Sequence, residues 1–201
     1  MASTTISTKQ VAELRGRTGA GMMDCKRALE EAAGDMERAT ELLRARGIAK
    51  AEKRAGRSAA QGVVVSYIHH NQQVGVLVEL NCETDFVART EDFQQLARDV
   101  ALHVASADPL AVSADDIPAA VLDRERRIAE EQVAAEGKPE NIRARIVDGK
   151  LKKFIAERTL LEQPYVKDDS KTVGQLVKEV SGKVGEAVTV RRFARFKVGE
   201  A

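Results

Sequence analysis

The chain has 201 residues, of which 43% are apolar and 31% charged, with a formal net charge of +1. That length can bury a real core in one or two domains, and the near-neutral charge gives no chain-wide case for nucleic-acid binding. Aromatic residues are 3% of the chain and Trp is absent, so no stacking platform for single strands is evident. Charge is uneven, however: residues 1–57 hold twelve Lys and Arg against eight Asp and Glu, a local +4 that leaves −3 for the remainder. Cys25 and Cys82 stand far apart in apolar surroundings, which suits a reducing compartment better than a disulfide scaffold. No uncharged apolar run could span a bilayer and the first residues lack the basic-then-apolar order of a signal peptide, so a cytoplasmic protein with no membrane association is expected.

In chain order, Ser7 and Gln10 have the spacing of a capping box for a short helix carrying Val11 and Leu14 inward. Gly19 and Gly21 end it. A second helix places Met22, Cys25 and Leu29 on one face, which assigns Met22 to the core and leaves Met23, one position round, exposed or buried with equal ease. Asp35 caps a third helix with Met36, Ala39 and Leu43. A basic, Ala-rich stretch holding Lys50, Lys53, Arg54 and Arg57 follows, either a helical linker or a solvated spacer.

The body opens with Val-rich runs at 62–67 and 74–80 around a short polar interval, the pattern of an antiparallel hairpin. Phe93, Leu96, Ala97, Val100 and Val104 form a helical stripe from Thr90 that stops before Pro109. A charged helix from about Ile117 to Glu136 carries Val121, Ile128 and Val133. Pro139 then opens another, with Ile142, Ile146, Leu151, Phe154 and Ile155 inward. Thr172 and Gln175 repeat the capping-box spacing, and the run from Ala187 to Val198 alternates as a third strand beside the hairpin. The expected fold class is α+β: a three-helix head over residues 1–57 with its basic linker, then an α+β core over 58–201 built on a three-stranded antiparallel sheet with packed helices.

Enzyme chemistry is poorly represented. No phosphate-binding loop is present, since Gly16 to Gly21 lacks the lysine and the preceding strand. His69 and His70 are adjacent and in an extended strand would point to opposite faces; with His103 and Cys82 they make no ligand pattern, so neither metal nor cofactor is expected. His103 reads as a surface or structural residue. Thr84 and Asp85 have no histidine or lysine placed to act with them, so no catalytic residue is assigned. The informative stretch is Asn81-Cys82-Glu83-Thr84-Asp85-Phe86-Val87, where an apolar strand turns polar and an aromatic follows an acid at a strand-to-helix junction. Phe86 is either the first core residue of the next helix or a wedge presented to a partner.

Three strings together resemble one family: Leu14 to Lys26 (LRGRTGAGMMDCK), Asn81 to Ala88 (NCETDFVA) and Lys171 to Leu176 (KTVGQL), with support from Gly137 to Ile142 and Leu161 to Pro164. The chain resembles bacterial elongation factor Ts over almost its whole length. The resemblance implies a protein that is not an enzyme but a guanine-nucleotide exchange factor, which binds elongation factor Tu·GDP, disturbs its Mg²⁺ and phosphate site and promotes GDP release during translation. It also implies a ubiquitin-associated-like head that contacts the G domain at or near Arg15, Met22 and Met23. Thr84, Asp85, Phe86 and Val87 would form the element entering beside the Mg²⁺ site, with Phe86 wedging between helices. The second core subdomain and projecting helical hairpin of the longer members are unmatched, which indicates the short form, a homodimer paired through its core sheets. Ribosome or RNA binding through Lys50, Lys53, Arg54, Arg57, Arg191, Arg192 and Arg195, an enzyme at the Thr84–Asp85 corner and a purely structural dimer are the competing readings.

Overall fold

A computed structural model describes residues 6–137 and 139–200. Lys138 and the outermost residues of the two expected domains lie outside that range. The described residues form α1 (Thr8–Thr18), α2 (Met22–Glu31), α3 (Met36–Glu52), β1 (Gln61–Ile68), β2 (Val74–Cys82), α4 (Asp85–Ala88), α5 (Glu91–Ala107), α6 (Ala119–Ala135), α7 (Glu140–Arg158), β3 (Pro164–Tyr165), β4 (Asp168–Thr172), α8 (Val173–Val184) and β5 (Val188–Lys197). The fold is α+β, with N-terminal helices followed by a sheet in the order β1-β2-β5. Its antiparallel sense shows at both margins of β2, where His69 N donates to Val74 O and Val198 N to Gln73 O, each at 2.9 Å.

The head folds for local reasons. Ser7 Oγ accepts from Gln10 N at 3.2 Å while Ser7 N donates to Gln10 Oε1 at 3.0 Å, so the capping box is complete. Gly19 ends α1 at φ 69°, a left-handed angle that glycine adopts without a Cβ clash. Asp35 accepts from the backbone N–H of Glu37 and Arg38 and so caps α3. Val11, Leu14, Cys25, Ala28, Leu29, Ala32, Ala39 and Leu43 make a core of their own. Helix α3 continues to Glu52, so the first half of the basic linker is helical, and Ala51 is buried.

Packing divides the chain into two compact units. The first comprises the chain up to Val63, Leu80–Leu96 and Gln175–Thr189; the second comprises Val64–Glu79, Ala97–Gly174 and the chain from Val190. In the second, α6 and α7 pair as an antiparallel hairpin with a small core of Ala129, Val133 and Val147. The expected absence of a helical hairpin is corrected to this extent. Ile142, expected inward, is 39% exposed because it lies in the first turn of α7, by the loop and past the last turn of α6. Strands β3 and β4 form a two-stranded sheet too short for periodicity to announce.

Of the two readings of His103, surface or structural, the burial fits the second. The residue is buried on α5, with Nε2 3.0 Å from Gln163 Oε1 and Nδ1 accepting from Val166 N at 3.2 Å. Gln163 in turn donates to the carbonyls of Glu157 (2.7 Å) and Ala107 (3.3 Å). Since Nδ1 accepts, the neutral ring carries its proton on Nε2. His69 and His70 depart from expectation: β1 stops at Ile68, so they sit past its end with rings 4.2 Å apart rather than on opposite faces of a strand.

Burial lowers the His103 pKa, with the Gln163 hydrogen bond opposing in part. A folded pKa below the unfolded value of about 6.5 means that the unfolded chain binds more protons as pH falls below that value. The stabilisation by neutral His103 is therefore complete above about pH 6.5 and declines on acidification by at most about 1.4 kcal/mol per pH unit. Urea midpoints measured between pH 7.5 and 5.5 should fall more steeply for the parent than for His103→Leu, whatever the variant's overall loss of stability. Equal slopes would show that His103 contributes no proton linkage.

Candidate functional site

Strand β2 buries Val76, Val78, Leu80 and Cys82 by simple alternation, then stops. Thr84, extended at φ −127° and ψ 157°, caps the single turn α4, its Oγ1 accepting from Val87 N at 3.4 Å. Within that turn Val87 and Ala88 are buried whereas Phe86 is 77% exposed. The first alternative for Phe86, a core position, is thereby excluded for the isolated chain. Thr90 Oγ1 donates to Val87 O at 2.8 Å and Gln94 Nε2 to Ala88 O at 2.7 Å, so the far side of the corner is tied to the start of α5.

The near side is held by two glutamates in reciprocal fashion. Glu186 Oε2 accepts from the backbone N–H of Glu83 (3.1 Å) and Thr84 (3.0 Å), and Glu186 Oε1 accepts from Thr84 Oγ1 at 2.7 Å. Glu83 Oε1 accepts from Ala187 N at 2.7 Å in return. The backbone groups freed where β2 ends are thus satisfied by carboxylates, the stronger class of acceptor. Thr84 Oγ1 thus donates to Glu186 and accepts from Val87 N, which ties the side chain into the corner on both sides. Cys82 Sγ lies 3.1 Å from Thr84 O, and burial first, with the Glu186 charge next, pushes its thiol pKa up. It is an inert core thiol.

Asp85 projects from the first turn of α4 and pairs with Arg89 Nη2 at 2.8 Å, both side chains at least half exposed. Such a pair contributes about 0–1 kcal/mol and releases its carboxylate cheaply. Among the described residues no group of three His, Cys, Asp or Glu is placed to hold a metal, and no helix is long and apolar enough to cross a membrane.

In the head Arg15 is exposed, Met23 is 66% exposed and Met22 is 44% exposed. The core assignment of Met22 from its spacing is corrected. Met22 opens α2 directly after its cap Gly21, and a first-turn side chain leans past the helix end, so the buried face begins at Cys25. Arg15, Met22, Met23 and the Thr84–Val87 corner all fall in the first unit. The linker charges are partly engaged: Lys50 Nζ meets Asp24 Oδ2 at 3.0 Å and Arg57 Nη1 meets Glu83 Oε2 at 3.5 Å. Lys50 first, then Arg27, holds the Asp24 carboxyl below the usual range. Glu186 escaped the sequence reading altogether. It lies more than a hundred residues from Thr84, and a glutamate after Gly185 and before a strand carries no local signal.

Comparison with known proteins places this geometry in a family. The family model described as elongation factor TS matches residues 6–200. Elongation factor Ts of Thermosipho melanesiensis is 53% identical over 195 residues, covering 97% of this chain and 100% of the relative. The corresponding protein of Desulforamulus reducens is 54% identical, covering 97% of this chain and 90% of its own, and that of Desulfosudis oleivorans is 51% identical, covering 98% and 99%. A match of this extent, on a chain whose exposed Phe86 corner and capped three-helix head carry the resembling strings, shows that the chain belongs to the elongation factor Ts family.

Proposed function

We propose that this chain is a guanine-nucleotide exchange factor for elongation factor Tu, acting in the cytoplasm during translation elongation, and that it does so without catalytic chemistry of its own. The observation that carries this reading is Phe86: a large apolar side chain, 77% exposed, on a turn whose neighbours Val87 and Ala88 are buried and whose backbone is hydrogen-bonded on both sides. A wedge needs that combination of exposed tip and rigid base. In this reading Thr84 and Val87 set the corner's shape, Phe86 enters between helices of the GTPase, and Asp85 reaches the Mg²⁺ and phosphate region. Arg15, Met22 and Met23 supply a second contact from the head. The eight-residue core of the head supports treating residues 1–57 as a folding module joined to a core of 58–201.

Exchange of this kind is a coupling of two ligands through one pocket. Nucleotide and factor each favour a different arrangement of the G domain, so each weakens the other by the same factor. Swinging such a pocket from roughly 1:99 to 99:1 takes about 5.5 kcal/mol of differential binding. Expelling Mg²⁺ serves this because the ion neutralises phosphate charge and bridges it to protein. The factor sets the rate and leaves the direction to nucleotide concentrations.

The sheet supports a homodimer. Ile68 Cδ1 lies 3.1 Å from where a Cβ on Gly75 would stand, and Arg192 Nε bonds Glu79 Oε2 at 2.7 Å, so these residues share one face across the three strands. Alternation adds Val64 and Leu77 to that face, and Val64, Ile68, Leu77 and Phe196 are all exposed. An apolar sheet face of this kind invites burial against a second copy. Leu77→Asp should convert a dimer to a monomer in sedimentation equilibrium while the monomer keeps a cooperative melt. A parent chain that sediments as a monomer at micromolar concentration would remove the dimer from the proposal.

The exchange reading is tested by release of fluorescent GDP from purified elongation factor Tu. Phe86→Ala should slow factor-stimulated release by about 30-fold or more, the loss of one interface hot spot. Its urea stability should change by less than about 1 kcal/mol, against about 3–5 for a core phenylalanine. Normal exchange by a destabilised Phe86→Ala protein would return Phe86 to the core. Asp85→Asn keeps the shape and removes the charge; it should lower the release rate with folding unchanged, and reducing free Mg²⁺ should restore part of it. Identical behaviour of parent and Asp85→Asn across the Mg²⁺ range would limit Asp85 to shaping the loop.

A further inference from the structure

Helix α8 does two jobs within the first unit. Its flank receives the head, and the residue just beyond its end holds the Phe86 corner. A Cβ at Gly182 would stand 2.7 Å from Cα, C and O of Gly47, backbone atoms that cannot swing aside. A Cβ at Gly47 would stand 3.7 Å from Gly182 Cα, an ordinary contact. Helices α3 and α8 therefore cross at backbone distance at this point, and only one of the two glycines is sterically required there. Ion pairs surround the crossing: Arg44 with Glu179, Lys178 Nζ with Glu52 Oε1 at 2.9 Å, and Lys183 Nζ with Asp92 Oδ1 at 2.6 Å. The stem of Lys183 lies over Gly19, where a Cβ would come within 2.5 Å of its Cε. In the last turn of α8, Ser181 Oγ donates to O of Glu186 beyond the helix end at 2.5 Å and ties the clamping residue back onto the helix.

Exposed ion pairs contribute little each, so the close backbone approach, which larger side chains would forbid, defines how the head sits. We propose that the Gly47–Gly182 crossing fixes the head on the helix that orients the Phe86 corner, so that head and corner meet the GTPase as one pre-organised body, with Gly182 as a positioning residue. A head held in place spares the ordering cost that a head on a free tether would incur at binding. This inference rests on the exchange reading for its functional consequence.

The test uses the full chain in three variants: Gly182→Ala, Gly47→Ala as its steric control, and Arg44→Glu, which sets two acids against each other without adding bulk at the crossing. Two readouts are taken. One is the rate of tryptic cleavage after Lys53, Arg54 and Arg57, which needs no partner. The other is GDP release from elongation factor Tu as a function of factor concentration. Gly182→Ala should be cleaved in the linker at least ~10-fold faster and raise the half-saturating concentration by at least ~10-fold, the avidity of a docked second contact. Its maximal rate should stay within about 3-fold, because the Glu186 clamp is untouched. Arg44→Glu should move both readouts the same way by less, and it decides the matter if Gly182→Ala does not fold. Gly47→Ala should stay within about 2-fold in both. Parent-like cleavage, faster cleavage with unchanged half-saturation, or a fall confined to the maximal rate would each overturn the proposal. If the parent itself does not accelerate GDP release, the exchange reading fails, and the docking is judged from cleavage alone.

Discussion

The corner that carries Phe86 stands because one carboxylate satisfies three donors that the end of β2 leaves open. Glu186 takes the N–H groups of Glu83 and Thr84 and the Thr84 hydroxyl, and Glu83 returns the arrangement to Ala187 N. Hydrogen bonds to charged groups contribute about 1.5–3 kcal/mol each, several times an exposed ion pair such as Asp85–Arg89. The shape of the corner is therefore set by residues that project nothing outward. Removing the Glu186 carboxylate would free the backbone on which the Phe86 turn is built, while the Phe86 side chain itself has little to lose in the isolated chain.

That separation between what holds and what is displayed recurs across the molecule. In the head, Cys25, Ala28 and Leu29 are buried while Met22 and Met23 on the same helix are exposed. On the sheet, Val76, Val78 and Leu80 point one way and Val64, Leu77 and Phe196 lie open to solvent. Apolar groups left in water are tolerable when few and supported by rigid elements, since such groups bind with little loss of conformational freedom. The inward residues supply the stability that permits the display.

The two polar clusters differ in the same sense. His103 and Gln163 are buried and bonded to each other and to the backbone of Val166, Ala107 and Glu157. That cluster secures the short β3 segment to α5 and keeps a histidine neutral. The Thr84–Glu186 cluster is satisfied as well, yet it borders an exposed aromatic and an acid with a dispensable partner, and so supports an interaction surface.

Local pattern and chemistry were legible in the sequence wherever neighbouring residues alone determine the outcome. The Ser7–Gln10 capping box, the Asp35 cap, the Gly19 stop, the hairpin, the stripe of α5 and the final strand follow from hydrogen-bond reach and side-chain period, which operate over a few residues. The position of Phe86 at a strand-to-helix junction was equally readable, but its exposure was not, because helical spacing also admits a core position. Tertiary structure decided that, as it decided the exposure of Met22, the burial of His103, the pairing of α6 with α7, the short β3–β4 sheet and the close approach of Gly182 to Gly47. Above all it brought Glu186 to Thr84 across some hundred residues. Helical and strand periods are properties of short segments, whereas such a contact depends on where whole elements are carried by the fold.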